Sequence, residues 1–180
     1  CYIPRQWKSS VITPVPKINQ PKLCADYRPI SVTSVLCRLL EKIIIQKYFY
    51  PILAHPSCDY LFQDQFAFRP TGSTTAALIN LLHKITTVLQ DNNYVHLISL
   101  DFSKAFDSVR HSKLIEKIAK LPIPDFAHNW TVEYLSQRQH CTKFNSIVSL
   151  MLQINASIVQ GSRIGPMAYV IDASDLHPVT

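Results

Sequence analysis

Two aspartates six residues apart stand where an apolar stretch of the sequence ends. In "VHLISLDFSKAFDSVRH", residues 95–111, the apolar run stops at Leu100 and Asp101 follows. A carboxylate at the end of a buried strand is costly unless it is paired or bound to a metal. Mg²⁺ takes few protein carboxylates and completes its shell with water and substrate phosphates. Asp101 therefore suits a Mg²⁺ ligand beside a bound triphosphate, with the backbone carbonyl of Phe102 as a further oxygen. The same residue also suits a cap on the turn "FSKAF", accepting from its own backbone. Phe106 can present a flat ring to a ligand or lie in the core. Asp107 reads as structural, orienting the turn through backbone N–H groups or capping the chain before His111.

Three other stretches carry usable chemistry. "TPVPKINQPKLCADYRPISV" sets Lys17, Lys22 and Arg28 on two extended segments joined by a loop. Such arms can grip a triphosphate, Arg as a fork and Lys as a point charge, or can be a solvated basic loop. "FQDQFAFRPTGSTTAAL" puts Arg69 and Gly72 before a helix start, where free N–H groups and the helix dipole favour an anion, or where the loop merely caps. "IVQGSRIGPMAYV" puts Gln160 and Gly161 between a strand and a helix, and Gly161 lets backbone come close to a ligand.

These residues need elements to hold them. Residues 1–29 are rich in Pro with short β-branched runs and read as strands and loops. Ser34 can cap a helix over residues 34–50, with Val35, Leu36, Leu39, Leu40, Ile43 and Ile44 on one face and Pro51 and Pro56 ending it. Ser73 or Thr74 caps a second helix to about residue 90, its buried stripe formed by Leu78, Leu81, Leu82, Ile85, Val88 and Leu89. Residues 95–100 read as a strand buried on both sides. Helices follow over about 111–120 and 125–137, the second capped by Asp125, then one hairpin over 143–159. A last helix carries Pro166 in its first turn. Without a regular βαβ beat, the class is α+β.

The chain has 180 residues, 47% hydrophobic and 17% charged, which excludes a disordered chain and allows one sizeable core. Its net charge of +6 suits a polyanion partner and equally suits a chain that is simply basic. Five cysteines, an odd count with no Cys-x-x-Cys pair, imply reduced thiols, and the sequon Asn155-Ala156-Ser157 is then a chance match. No apolar run approaches the ~20 residues of a membrane span. The chain has no starting Met or signal-peptide pattern, and it begins and ends mid-pattern, as a fragment would.

"LISLDFSKAFDSVRH" resembles the catalytic A motif of reverse transcriptases from non-LTR retrotransposons. "YRPISV", "QFAFRPTGST", "IPDFAHNWTVEYLSQRQHCTKFN" and "VQGSRIGP" are similar to other blocks of that family, in the same order. "ASDLHPVT" is similar to jockey-like elements just before their last catalytic motif. The resemblance covers nearly the whole chain. It implies a right-hand polymerase: one partial domain, mainly fingers over about 1–94 and mainly palm over about 95–180, with the 143–160 hairpin near their junction. It implies synthesis of DNA on an RNA template from a DNA primer and deoxynucleoside triphosphates, two Mg²⁺ ions (or Mn²⁺ in their place), and a nuclear location. No membrane is implied, and the oligomeric state is left open.

Carried over residue by residue, Asp101 becomes the metal ligand and Phe102 lends its carbonyl. Phe106 becomes the steric gate at the sugar C2′ position. Lys17 and Arg28 grip the incoming triphosphate, and Gln160 and Gly161 meet the nucleotide sugar and base pair. Arg69 supports the template strand or the fingers. The chain departs from the family pattern at Val159, where Pro is usual, at Ala67, where Gly is common, and at Gly72, where a basic residue is common. The family's Tyr-Ala-Asp-Asp motif is absent, and Asp172 and Asp175 are no substitutes but turn or cap residues. The expectation is that the chain by itself does not polymerise although its parent protein does. The competing reading is a degenerate copy that binds nucleic acid without catalysis.

Overall fold

The computed structural model describes residues 2–62, 64–69, 72–159 and 161–176. A short helix α1 (Arg5–Lys8) leads into β1 (Ser9–Pro16), whose β-branched run Val11-Ile12-Thr13 favours a strand. β1 turns back antiparallel into β2 (Tyr27–Val32) and runs parallel to β3 (Arg138–Phe144) over residues 9–12 only. Past Ile12, β1 has β2 as its one neighbour among the described residues, and there Pro14 sits opposite Pro29. Proline, which cannot donate to a ladder, is tolerated at such an edge. β4 (Ile147–Val148) and β5 (Leu152–Ile154) both pair antiparallel with β3, giving the order β2-β1-β3-β4 with β5 on the first half of β3. The single hairpin expected over 143–159 is thus two returns onto one strand. A two-residue turn at Asn145 and Ser146, with Asn145 at φ 54°, makes the first of them.

Helix α2 (Val35–Ile44) starts at Ser34, whose side chain makes no capping bond. It opens into wider π turns at Ile45–Phe49 and continues as α3 (Tyr50–Leu53), so Pro51 lies in a first turn rather than ending the helix. After a short α4 (Asp59–Phe62) come α5 (Thr74–Asp91), α6 (His111–Ile118), α7 (Asp125–Leu135) and α8 (Ile164–Asp172). Pro124, not Asp125, is the N-cap of α7; Asp125 is its first residue, where a carboxylate complements the helix dipole. Helices beside a mixed sheet make the α+β class expected.

The core joins α2, the π turns, α3, α6, α7 and α8, through Phe49, Leu53, Leu114, Ile118, Tyr134 and Met167. Lys117 on α6 donates to the Asp175 carboxylate at 2.7 Å and to the Asp172 carbonyl, clipping α6 to the end of α8. Asp175 ends the 3-10 turn Ala173–Asp175, which suits the turn residue expected.

Three packing expectations fail. The buried face of α2 carries Cys37, Glu41 and Ile44, while Val35, Leu36, Leu39 and Ile43 are exposed. No residue of α5 is buried, because no described element covers its apolar stripe; Ser73 caps it by accepting from Ala76 N at 3.0 Å. Residues 95–100 form no strand. No described segment pairs with them, and a strand without a neighbour has no partner for its N–H and C=O groups. Ile98 and Leu100 are 81% and 82% exposed.

His111, at the start of α6, is buried, and its Nε2 lies 2.9 Å from the Ser157 carbonyl. Burial holds its pKa below the ordinary histidine value, against that hydrogen bond, and the nearby Arg138 charge lowers it further. The unfolded chain then binds the proton more readily than the folded one. Stability should be flat above about pH 6.5 and fall as pH drops through that value toward the lower folded pKa. Urea unfolding between pH 8 and 5 checks this, and His111→Gln should flatten the acid side.

Candidate active site

The chain from Asp101 to Arg110 folds as an irregular loop with one tight turn. Lys104, at φ 54°, lets its carbonyl accept from Asp107 N at 2.9 Å and Ser108 N at 3.1 Å. Asp101 takes no part. It is exposed, and its carboxylate has no hydrogen-bond or ion-pair partner among the described residues. The capping alternative is therefore not realised, and the carboxylate stands free in solvent rather than at the end of a buried strand. Phe102 is half-exposed beside Tyr60, Gln65, Tyr169 and Leu176, which line a cleft of 360 Å³.

The far side of the turn is fixed by a second segment. Ser157 N donates to the Val109 carbonyl at 2.8 Å, and Ile158 N to the Phe106 carbonyl at 2.9 Å. The Ser157 hydroxyl reaches Asp107 Oδ1 at 3.5 Å, which suits a structural Asp107. The Phe106 ring lies half-buried, 5.1 Å from the Tyr169 ring and 6.2 Å from that of Phe68.

Phe106 and Gly161 meet across a common cleft of 300 Å³, completed by Ile158, Val159, Ser162, Gly165 and Pro166. Gly161 has φ +106°, and a Cβ there would lie 2.8 Å from the Ser31 carbonyl of β2. Both facts demand glycine. Gly161→Ala should cost about 1–3 kcal/mol of stability, read as a lower urea midpoint. A second cleft of 240 Å³ shares Ile158 and Val159 and adds Ser10, Ser31, Asp107, His140 and Ser157. Gln160 lies outside the described residues.

The basic candidates sit elsewhere. Lys17 is exposed at the end of β1, where its Nζ donates to the Ala25 carbonyl at 2.8 Å and closes the hairpin loop. In that loop Asp26 accepts from Lys22 N and Leu23 N, both at 2.8 Å, and these bonds hold its pKa below the ordinary value. Arg28 is exposed on β2. Its neighbours Pro29 and Ser31 line the cleft beside Asp107, so by strand alternation Arg28 points from the opposite face. Neither Lys17 nor Arg28 lines the cleft of Phe106 and Gly161. Arg69 turns inward and donates to the Leu53 carbonyl at 2.9 Å and to the Phe62 carbonyl, tying the loop to the ends of α3 and α4. Gly72 has no room for a side chain: a Cβ would meet the Phe66 carbonyl oxygen at 2.0 Å.

Sequence reasoning missed a buried polar cluster behind the Gly161 cleft. Glu41 on α2 is fully buried. Its Oε1 accepts from Tyr134 Oη at 3.0 Å and Cys37 Sγ at 3.3 Å; its Oε2 accepts from Arg163 N at 2.7 Å and Ile164 N at 3.2 Å. Arg138 is buried too, its guanidinium 4.4 Å from the Tyr134 ring centroid, with Nε and one Nη lacking hydrogen-bond partners among the described residues. Burial, then the neighbouring Glu41 charge, pushes the Cys37 thiol up to about 12. Burial likewise pushes the Tyr134 phenol upward. Both groups therefore remain neutral donors to Glu41 at ordinary pH. The readable signal was spacing: Glu41 stands four residues after Cys37 and three before Ile44, on one helix face.

The donor chemistry of the exposed Asp101 carboxylate and the Phe102 carbonyl, both hard oxygens, fits Mg²⁺. The donor number is small. Among the described residues no three His, Cys, Asp or Glu side chains cluster to hold a metal ion.

Residues 15–176 match the family described as reverse transcriptase (RNA-dependent DNA polymerase). The chain is 31% identical over 176 residues to the "Probable RNA-directed DNA polymerase from transposon BS" of Drosophila melanogaster, covering 97% of this chain and 19% of that protein. It is 27% identical to the "RNA-directed DNA polymerase from mobile element jockey" of the same organism, with the same coverage. It is also 28% identical over 135 residues to the "Retrovirus-related Pol polyprotein from type-1 retrotransposable element R2" of Popillia japonica, covering 75% of this chain and 18% of that protein. The chain thus spans about a fifth of the length of the curated relatives it matches.

Proposed function

The chain belongs to the reverse transcriptase (RNA-dependent DNA polymerase) family, in its non-LTR retrotransposon branch, and on that premise we propose that it is part of an enzyme that copies RNA into DNA. Its substrates are an RNA template, a DNA primer and deoxynucleoside triphosphates. Residues 1–94 contribute mainly to the fingers and residues 95–180 mainly to the palm. The location is nuclear, where such an element copies into chromosomal DNA. No helix among the described residues is long and apolar enough to cross a membrane.

The observation that carries this reading is the meeting of Phe106 and Gly161 across one cleft, a few residues from the free carboxylate of Asp101. In that cleft the Phe106 ring is the steric gate against a 2′-hydroxyl. Gly161 gives the nucleotide a close backbone surface, and Gln160 is assigned to the nucleotide sugar by the family motif it matches. Asp101 supplies one carboxylate and Phe102 one carbonyl to the metal site. Two Mg²⁺ ions (or Mn²⁺), when bound, neutralise charge on the attacking 3′-oxygen and the leaving pyrophosphate. Lys17 and Arg28, exposed on the β1–β2 hairpin outside this cleft, are assigned to the incoming triphosphate by the family motif they match. Arg69 acts in the fingers by bracing the loop before α5. The excess of basic over acidic residues holds the nucleic-acid backbone without reading its sequence.

Primer extension on a defined RNA template tests the proposal. The intact polymerase should extend the primer. Residues 1–180 alone should not, even in excess Mg²⁺, because a lone carboxylate and a carbonyl leave two ions short of protein ligands. An intact protein that binds the primer–template without extending it would make the chain a degenerate binding remnant.

A further inference from the structure

We propose that Glu41 is a positioning residue for this polymerase: its carboxylate fixes the turn at Gly161 and Ser162 and the start of α8, and so sets the wall opposite Phe106. The inference rests on the reading of that cleft as the nucleotide site. A fully buried carboxylate survives in a fold only when its oxygens are well bonded. Those of Glu41 accept from four donors, and two of them, Arg163 N and Ile164 N, are the backbone at the start of α8. The Ser162 hydroxyl accepts from a third amide there, Gly165 N, at 3.2 Å. The first-turn N–H groups of α8 are thereby occupied by the protein itself. That helix end cannot serve as a phosphate cradle, and the cleft surface it offers is a wall of Gly161, Ser162, Gly165 and Pro166.

The wall is held from two consecutive elements of the chain. β2 presents the Ser31 carbonyl against Gly161, and α2 presents Glu41 against Arg163 and Ile164. Without the carboxylate, two amides lose their acceptor, and the start of α8 is free to shift relative to Phe106. A displacement of that kind acts on nucleotide geometry even though Glu41 touches no substrate.

Steady-state incorporation by the intact polymerase tests this. Glu41→Leu should raise the KM for a deoxynucleotide about tenfold or more and alter the preference for deoxy- over ribonucleotides, because the wall moves. Glu41→Gln can still accept from both α8 amides while its NH₂ faces Tyr134, and should restore KM to within about threefold of wild type. Tyr134→Phe removes a different partner of the same carboxylate; it should lower thermal stability yet leave KM within about twofold. An unchanged KM in Glu41→Leu, or an equal change in Tyr134→Phe, would overturn the proposal. If Glu41→Leu does not fold, Glu41→Asp decides: a KM raised about threefold supports positioning, and an unchanged KM rejects it. Phe106→Ala separates the two layers of argument. If it leaves ribonucleotide exclusion intact, the reading of the cleft fails. If it relaxes exclusion while the Glu41 variants leave KM alone, only the positioning role fails.

Discussion

Asp101→Asn in the intact polymerase is expected to cut primer extension on the order of a thousand-fold, about 4 kcal/mol of barrier. The substitution keeps size and shape and removes one negative charge. That charge is what a divalent ion and the developing charge on the transferred phosphoryl group require. The effect should appear in kcat. Affinity for primer–template, governed by basic side chains and the nucleic-acid backbone, should hold. Stability should change by less than about 0.5 kcal/mol, because the side chain is exposed and makes no contact that folding depends on. Asp107→Asn is the comparison. Its side chain faces Ser157 and the second cleft, and the effect on kcat should be much smaller. Equal losses from both substitutions would sink the assignment of Asp101.

Glu41→Ala should destabilise the chain by about 3–5 kcal/mol. It leaves the Tyr134 hydroxyl and the amides of Arg163 and Ile164 without their acceptor, and opens a cavity between α2, α7 and α8. A buried donor left without its acceptor costs about 1–3 kcal/mol, and a domain of this size holds only about 5–15 kcal/mol in all. Cys37→Ala, which removes one weak S–H donor to the same carboxylate, should cost much less. Urea unfolding of the three proteins provides the ranking, and a Glu41→Ala loss below that of Cys37→Ala would contradict it.

What the sequence disclosed depended on whether a residue's role is local. Helices α6, α7 and α8 were readable because apolar residues recur at helical spacing between breakers such as Pro122 and Pro124. Gly161 was readable because glycine is scarce in this chain, so each one marks a backbone need. The meeting of Phe106 with Gly161 was implied by the family resemblance, which puts both at the nucleotide sugar, but not by spacing, since 55 positions separate them and the pairing of residues 155–158 with 106–111 joins them. Residues 95–100 have the composition of a central strand, yet strand formation depends on a partner that composition does not supply. Glu41 and Arg138 were overlooked for the opposite reason. Charged residues on amphipathic elements normally face water, and their burial follows from three helices converging behind them.

The unpaired stretch before Asp101 has a practical consequence. Leu97, Ile98 and Leu100 project into solvent, and no described strand satisfies the backbone around them. Such a segment is an adhesive template for any other extended chain, including an identical copy. In isolation, residues 1–180 would be limited by solubility before catalysis became the question, and material recovered from inclusion bodies would owe its insolubility to these residues rather than to a faulty core.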